Sequence, residues 1–194
     1  MKRKRVKRDE KISVTDLQLI KEVLDGNHNA FRSIVERYEA RIAATVYGML
    51  GECPEADDVG QEVFVRFYKA LDKFRGDAEL GTYLTRIAIN LSLNELRRRK
   101  RQIKLIDTKD IYDRPIADDT ADSEYDDLKE HVMEKIELLP PKYKSVLVLR
   151  LIDGHSIKET ADILHLPVGT VLSRLARAQK RMRTFLQPLL EEQV

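Results

Sequence analysis

Residues 156–183 read SIKETADILHLPVGTVLSRLARAQKRMR, and the fold follows from how this stretch breaks in two. Ser156 and Glu159 stand at the S-x-x-E spacing of a capping box, in which each side chain satisfies an orphan backbone N–H of the other residue. Ile157, Ala161 and Leu164 then recur at helical spacing. His165, Leu166 and Pro167 interrupt the period, and Pro167 biases Leu166 away from the helical region. A second helix is expected to restart at Val168 to Thr170, with Val171, Leu172, Leu175 and Met182 on its buried side. The other side carries Thr170, Ser173, Arg174, Arg177, Lys180, Arg181 and Arg183. From Val168 to Arg183 there are five basic residues and no acid. A short helix, a turn and a longer basic helix form the pattern of a helix-turn-helix, whose second helix enters the DNA major groove. Arg, Ser and Thr near the start of that helix can reach base edges, and the later basic residues can reach phosphates. An ordinary helical pair with a solvated basic face is the competing reading. The missing acids weigh against it, because a solvated face normally mixes signs.

Upstream of this pair, Tyr143 to Ile152 is strongly apolar, with Val146, Leu147, Leu149 and Leu151 expected to cover the hydrophobic side of the helix-turn-helix. Asp153-Gly154 ends it. Leu128 to Leu139 is a further helix with Val132, Ile136 and Leu139 apolar, stopped by Pro140-Pro141. Before it, residues 102–127 hold no sustained apolar period, are rich in Asp and include Pro115, which marks a flexible linker between two domains. Gln102 to Glu130 holds ten acids against four bases, a net −6. At roughly 3.3 Å per residue the linker spans at most about 85 Å.

The N-terminal half reads as three longer helices after a short one. Residues 1–14 are expected to be a disordered basic arm, with six basic residues and no acid from Lys2 to Arg8. A solubilising tail is the simpler account of that arm. Asp16 to Leu24 is a short helix ending at the Asp25-Gly26-Asn27 turn signal. Ala30 to Leu50 is amphipathic, with Phe31, Ile34, Val35, Tyr38, Ile42, Val46 and Leu50 on one stripe. Pro54 to Phe74 follows, with Val59, Val63, Phe67, Ala70 and Phe74 inward and Asp57, Asp58, Gln61 and Glu62 on another face. Asp57 and Asp58 alone would be ordinary helix-dipole chemistry; Gln61 and Glu62 extend the patch further than that requires. The loop RGDAELG, residues 75–81, precedes a helix from Thr82 to Lys100. Leu84, Ile87, Ala88 and Leu91 are expected inward, and Tyr83, Arg86, Asn90, Asn94, Arg97 and Arg101 outward. A ring, two amides and several guanidinium groups are what unpaired bases need for stacking, edge recognition and phosphate contact. A polar helix face with a Tyr is also common without any such role.

The bulk numbers fit two small helical domains. The chain has 194 residues and a formal net charge of +2, which conceals strong segregation into basic blocks and an acidic middle. Cys53 is alone, which excludes an intrachain disulfide and fits a reducing compartment. No apolar run approaches the roughly 20 residues of a membrane span. The basic start leads into Asp9 and Glu10, unlike a secretory signal, so a cytoplasmic protein is expected. The fold class expected is all-α: two small helical domains, residues 15–101 and 128–194, joined by an acidic linker.

PEADDVGQEVFVRFYKALDKFRGDAELGTYLTRIAINLSLNELRRRKR, residues 54–101, resembles the second conserved region of bacterial extracytoplasmic-function (ECF) sigma factors. LPPKYKSVLVLRLIDGHSIKETADILHLPVGTVLSRLARAQKRMR, residues 139–183, resembles their fourth region. The order, spacing and lack of a large middle domain fit the same family. The resemblance implies binding to core RNA polymerase and to promoter DNA. It implies that Asp57, Asp58, Gln61 and Glu62 grip the polymerase clamp helices. By the same resemblance, the loop from Phe74 and Arg75 to Gly81 captures a flipped base of the minus-ten element, beside Tyr83, Arg86, Asn90, Asn94 and Arg97. Thr170, Ser173, Arg174 and Arg177 match the duplex-reading positions for the minus-thirty-five element, with Arg181 among the basic residues behind them. An anti-sigma factor, often membrane-anchored in this family, is implied as a further partner. Tyr83 stands where many relatives carry Trp, and Thr85 and Ile89 are less basic than the Arg or Lys often found nearby.

Two rivals come from other classes. A stand-alone DNA-binding regulator would use the same helix-turn-helix but leave the RGDAELG loop and the Asn90 face without a task. An enzyme is the other. His28, His131, His155 and His165 show no pair at metal-ligand spacing, and no phosphate-cradling Gly-rich loop appears. No catalytic residue, metal or cofactor is expected.

Overall fold

The computed structural model describes residues 10–106 and 132–191, so the arm up to residue 9 and most of the expected linker lie outside the described residues. The order is α1 Glu10–Leu24, α2 His28–Leu50, α3 Pro54–Lys69, a 3-10 turn Leu71–Lys73 and α4 Leu80–Ile106. Then come a helical stretch 132–137 (α5), α6 Pro141–Leu147, a π-helical turn Val148–Ile152, α7 Ile157–Leu164 and α8 Val168–Glu191. Among the described residues there is no strand.

α2 is the spine. Its inward stripe of three- and four-residue steps places Ile34, Ile42, Val46 and Met49 fully inside. Against it lie Ile20 and Val23 of α1, Val63 and Phe67 of α3, and Leu84, Ala88 and Ile89 of α4. The Asn27 side chain caps α2 by accepting from the Asn29 N–H at 3.2 Å, which starts the helix two residues before the expected Ala30. α1 is held to α2 by Asp16, which accepts from Arg37 and from the Tyr38 hydroxyl, each at 2.5 Å. α1 begins at Glu10, inside the stretch expected to be a disordered arm. An acid at a helix start is favoured by the N-terminal dipole.

The C-terminal helices form two further clusters. Ile136, Leu139, Tyr143, Leu147, Ala178 and Met182 make one, and Val146, Ala161 and Val171 the other. The expected helix Tyr143–Ile152 is regular only to Leu147. The π turn that follows rotates the register and leaves Leu151 64% exposed, not inward as its period implies. The expected burial of Leu172 is likewise overturned, since it is 50% exposed. Val171 and Leu172 point about 100° apart, and Ala178 and Met182 select the Val171 side.

The two halves are packed against each other. Val148, Leu149 and Ile163 are buried in the same cluster as α2, α3 and α4. Gly48 permits the approach: a Cβ there would lie 2.7 Å from Ile152 Cδ1 and 3.2 Å from both Val148 methyls. Polar contacts frame this seam. The Lys144 Nζ donates to the Met49 carbonyl at 3.2 Å. The Thr45 hydroxyl lies 3.0 and 3.1 Å from the two Asp153 carboxylate oxygens. Arg41 Nη2 lies 3.1 Å from His155 Nε2. Burial lowers the Lys144 pKa, and burial followed by the Arg41 charge lowers that of His155.

Burial pushes the Asp153 carboxyl from 3.8 up to about 6, against the opposing pull of the Thr45 hydroxyl and Arg41. A raised carboxyl means that ionisation opposes folding. Its cost is absent below about pH 4, grows between about pH 4 and 6, and is constant above, reaching roughly 2–3 kcal/mol. Asp153→Asn should therefore be more stable than wild type at pH 7, by up to that amount. The difference should shrink to nothing near pH 4. Urea unfolding of both proteins from pH 4 to 7 measures it, and His155 cancels because both carry it. A difference independent of pH would contradict the assignment.

Candidate nucleic-acid and polymerase interface

The helix-turn-helix forms as its sequence dictates. The Ser156 hydroxyl accepts from the Glu159 N–H at 3.2 Å, and the Glu159 carboxylate accepts from the Ser156 N–H at 2.6 Å. Those contacts hold the Glu159 carboxyl below its ordinary range. His165 turns the chain in the left-handed region, φ 51°, and the Pro167 carbonyl accepts the first N–H groups of α8, from Thr170 and Val171. Ile163, absent from the expected stripe, is the deepest apolar residue of α7, 1% exposed.

Thr170 and Arg174 are half-buried on the flank of α8, whereas Ser173, Arg177, Lys180 and Arg181 are exposed. The Ser173 hydroxyl donates to the Thr170 carbonyl at 3.0 Å. The Arg181 guanidinium stands 5.6 Å from the Tyr143 ring centroid. A hydrogen bond from Arg177 lowers the pKa of the Tyr143 hydroxyl, opposed by its desolvation. Tyr143 thus props two cations of α8 outward, a role its apolar setting in the sequence did not signal.

On the N-terminal half, Asp57, Asp58 and Gln61 are exposed and Glu62 is partly so, opposite Ala56, Val63 and Phe67. Asp57 accepts from the Tyr47 hydroxyl at 2.6 Å, and Glu62 pairs with Arg66 at 2.8 Å. The four residues lie together on one largely acidic side of α3. Asn90, Asn94, Arg97 and Arg101 line the outer side of α4, with Arg97 donating to Asn94 at 2.8 Å. Arg75 is exposed in the loop before α4.

Tyr83, Phe74 and Arg86 are placed differently from the rest of that face. The Tyr83 and Phe74 rings meet edge-on at 5.1 Å, each 6.0 Å from Phe67, so both are half-buried in an aromatic cluster. Arg86 crosses to the other half and donates to the Asp162 carbonyl at 3.2 Å, with its Nε buried and unpartnered. A cleft of about 650 Å³ opens beside it, lined by Asp77, Glu79, Thr82, Glu159, His165 and Pro167. The loop and the helix-turn-helix therefore face each other across one space. Thr85 and Ile89, expected from the resemblance to lie near basic residues, are both buried. Sequence patterning missed these cross-contacts, because no periodicity within one helix reports on a partner helix about 75 residues away.

The described residues include no group of three or more His, Cys, Asp or Glu side chains placed to hold a metal. None of their helices is long and apolar enough to cross a membrane.

Comparison with known proteins bears on the same two halves. Residues 34–102 match the family Sigma-70 region 2, and residues 129–182 match Sigma-70, region 4. The chain is 35% identical over 179 residues to the ECF RNA polymerase sigma factor SigW of Bacillus subtilis, covering 88% of this chain and 96% of that protein. It is 35% identical over 188 residues to the ECF RNA polymerase sigma-E factor of Escherichia coli, covering 91% and 97%. Among solved structures, CnrH in complex with the cytosolic domain of CnrY is similar, with a TM-score of 0.66, 27% identity and coverage of 90% and 98%. Two ordered sigma regions, matched along nearly the whole length of such relatives, show that the chain belongs to the ECF family of RNA polymerase sigma factors.

Proposed function

We propose that this protein binds core RNA polymerase and directs it to promoters, with the N-terminal helices opening and reading the minus-ten element and the helix-turn-helix reading the minus-thirty-five element. The observation that carries the reading is the likeness to ECF sigma factors across both halves, in order, over about nine-tenths of the chain. The charge layout supports it. An acidic patch on α3 is set apart from the basic faces of α4 and α8, so one surface suits a polymerase and two suit nucleic acid. The chain supplies specificity and part of the melting energy, while polymerase performs the phosphoryl chemistry. Extruding one base costs a few kcal/mol, and a pocket that stacks and hydrogen-bonds that base offsets the cost for the right sequence alone. This reading places the protein in the cytoplasm with its polymerase, and makes an anti-sigma factor a further partner; the similar protein CnrH was itself solved in complex with the cytosolic domain of CnrY.

The docked arrangement belongs, in this reading, to the chain away from promoter DNA. Elements centred near minus ten and minus thirty-five lie about 25 base pairs apart, or roughly 85 Å at 3.4 Å per pair. Arg86 and Asp162 are in hydrogen-bond contact. Reading both elements at once requires the halves to separate and frees Arg86 for the unwound strand. The first five residues of the expected linker continue α4 to Ile106, which leaves residues 107–127 as the proposed tether between the two domains.

In vitro transcription with core polymerase on a randomised promoter library tests the proposal. Transcripts should start downstream of one selected pair of elements; transcription no different from core alone would refute it. Replacing both Asp58 and Glu62 by Lys should weaken polymerase binding by about tenfold or more, since like charges juxtaposed at an interface cost several kcal/mol. Undiminished co-purification with core would remove α3 from that interface. Arg174→Ala should lower discrimination at one position of the upstream element by about 1–3 kcal/mol, the worth of a bidentate Arg–base pair, with polymerase binding unchanged. An unaltered promoter preference would remove Arg174 from the reading set.

A further inference from the structure

The helix expected to read duplex DNA presents two large apolar side chains to solvent. Val168 is 46% exposed and Leu172 is 50% exposed. They sit at i and i+4, on one side of α8, one turn apart. Leu172 projects among small neighbours. Gly169 stands at i−3, Ala176 at i+4 and Ser173 beside it, all exposed. A Cβ built on Gly169 would meet nothing within 4 Å, so that side of the helix is open. Lys180 and Arg183 continue the same exposed side toward the C-terminus, and no acid occurs from Val168 to Arg183.

Packing does not account for Leu172. Its neighbour Val171 turns fully inward with Val146 and Ala161, and Ala178 and Met182 fill the adjoining cluster. An apolar side chain at the start of a helix ringed by cations suits one chemical feature of the major groove. Thymine carries a C5-methyl group there, and no other base does. A helix without a side chain at Gly169 can also seat its backbone close to the groove floor.

We propose that Leu172, with Val168 one turn before it, reads thymine methyl groups in the upstream promoter element and so sets part of this protein's sequence preference. The inference rests on the duplex-reading role proposed above. The two side chains are about 6 Å apart along the helix axis, close to two base-pair steps of about 3.4 Å. The methyls they contact therefore lie within two or three consecutive base pairs, on the side of the site away from the Arg174 contact. Leu172 is a specificity residue in this account; it takes no part in melting or in polymerase binding.

The test uses the full chain assembled with core polymerase and the duplex selected from a randomised upstream element. Each thymine of the selected element is replaced singly by deoxyuridine, which keeps every hydrogen-bonding group and removes the methyl. At one or two neighbouring positions this should weaken binding about fourfold, as expected for one buried methyl-sized group. Leu172→Ala should bind the thymine duplex about fourfold more weakly and lose the distinction between thymine and deoxyuridine at one of those positions. Its unfolding curve should match wild type, because the side chain contributes little to the core. Deoxyuridine tolerated at every position, or Leu172→Ala retaining full methyl dependence, would overturn the inference while duplex reading stands. If no upstream element is selected, duplex reading itself fails and this inference with it.

Discussion

The approach of the π turn to α2 at Gly48 is the contact on which the arrangement depends. Without a side chain at that position, Ile152 and Val148 settle on the α2 backbone, and Val148, Leu149 and Ile163 join the N-terminal core. That burial brings a set of polar groups inward with it. Lys144, Asp153 and His155 are each placed where their charged forms are disfavoured by burial. Each is matched by an α2 partner, the Met49 carbonyl, Thr45 or Arg41. Such groups lend a seam little net stability but fix its register, because any other docking leaves them unpaired. Gly48 provides the fit, and the polar frame makes that fit specific.

The seam also orders the functional surfaces. α3 turns its acidic side to solvent in the docked form, so the surface proposed for polymerase is uncovered there. α8 likewise keeps its cations outward, two of them braced by Tyr143. The face of α4 proposed to read the unwound strand differs, since Arg86 is spent on the Asp162 carbonyl and Ile89 is buried in the shared core. Under the proposed function, polymerase attachment and duplex contact are thus available before the step that exposes the whole surface proposed for the single strand. Thr85 and Ile89 are fully buried and uncharged, so their burial leaves no charge stranded.

Much of this was legible in the sequence, for identifiable reasons. The capping box at Ser156 and the stop at Pro167 are local chemistry, and both formed as read. The α2 stripe from Ile34 to Leu50 and the inward row of Leu84, Ala88 and Leu91 follow from a regular 3.6-residue period. The reading failed where the period itself changes or where two candidates compete. The π turn moved Leu151 outward, and the adjacency of Val171 and Leu172 allowed only one of them inside. The acidic patch on α3 could be collected from one helix. The pairings of Thr45 with Asp153 and of Arg86 with Asp162 could not, because they depend on which faces of two distant helices meet. Tyr83 was expected outward with the polar side of α4, and its packing on Phe74 and Phe67 could not be read from the period of one helix.

The central claim is that the two halves form one docked body in the isolated chain and part when both promoter elements are engaged. Spin labels at Glu36 and Lys158, both exposed, in a Cys53→Ser background would measure the separation directly by pulsed dipolar spectroscopy. The account predicts a single narrow distance distribution for the free protein, replaced by one several tens of ångströms longer in the complex with polymerase and promoter, as a span of roughly 85 Å between elements requires. A broad distribution in the free protein, or one distance shared by both states, would contradict it.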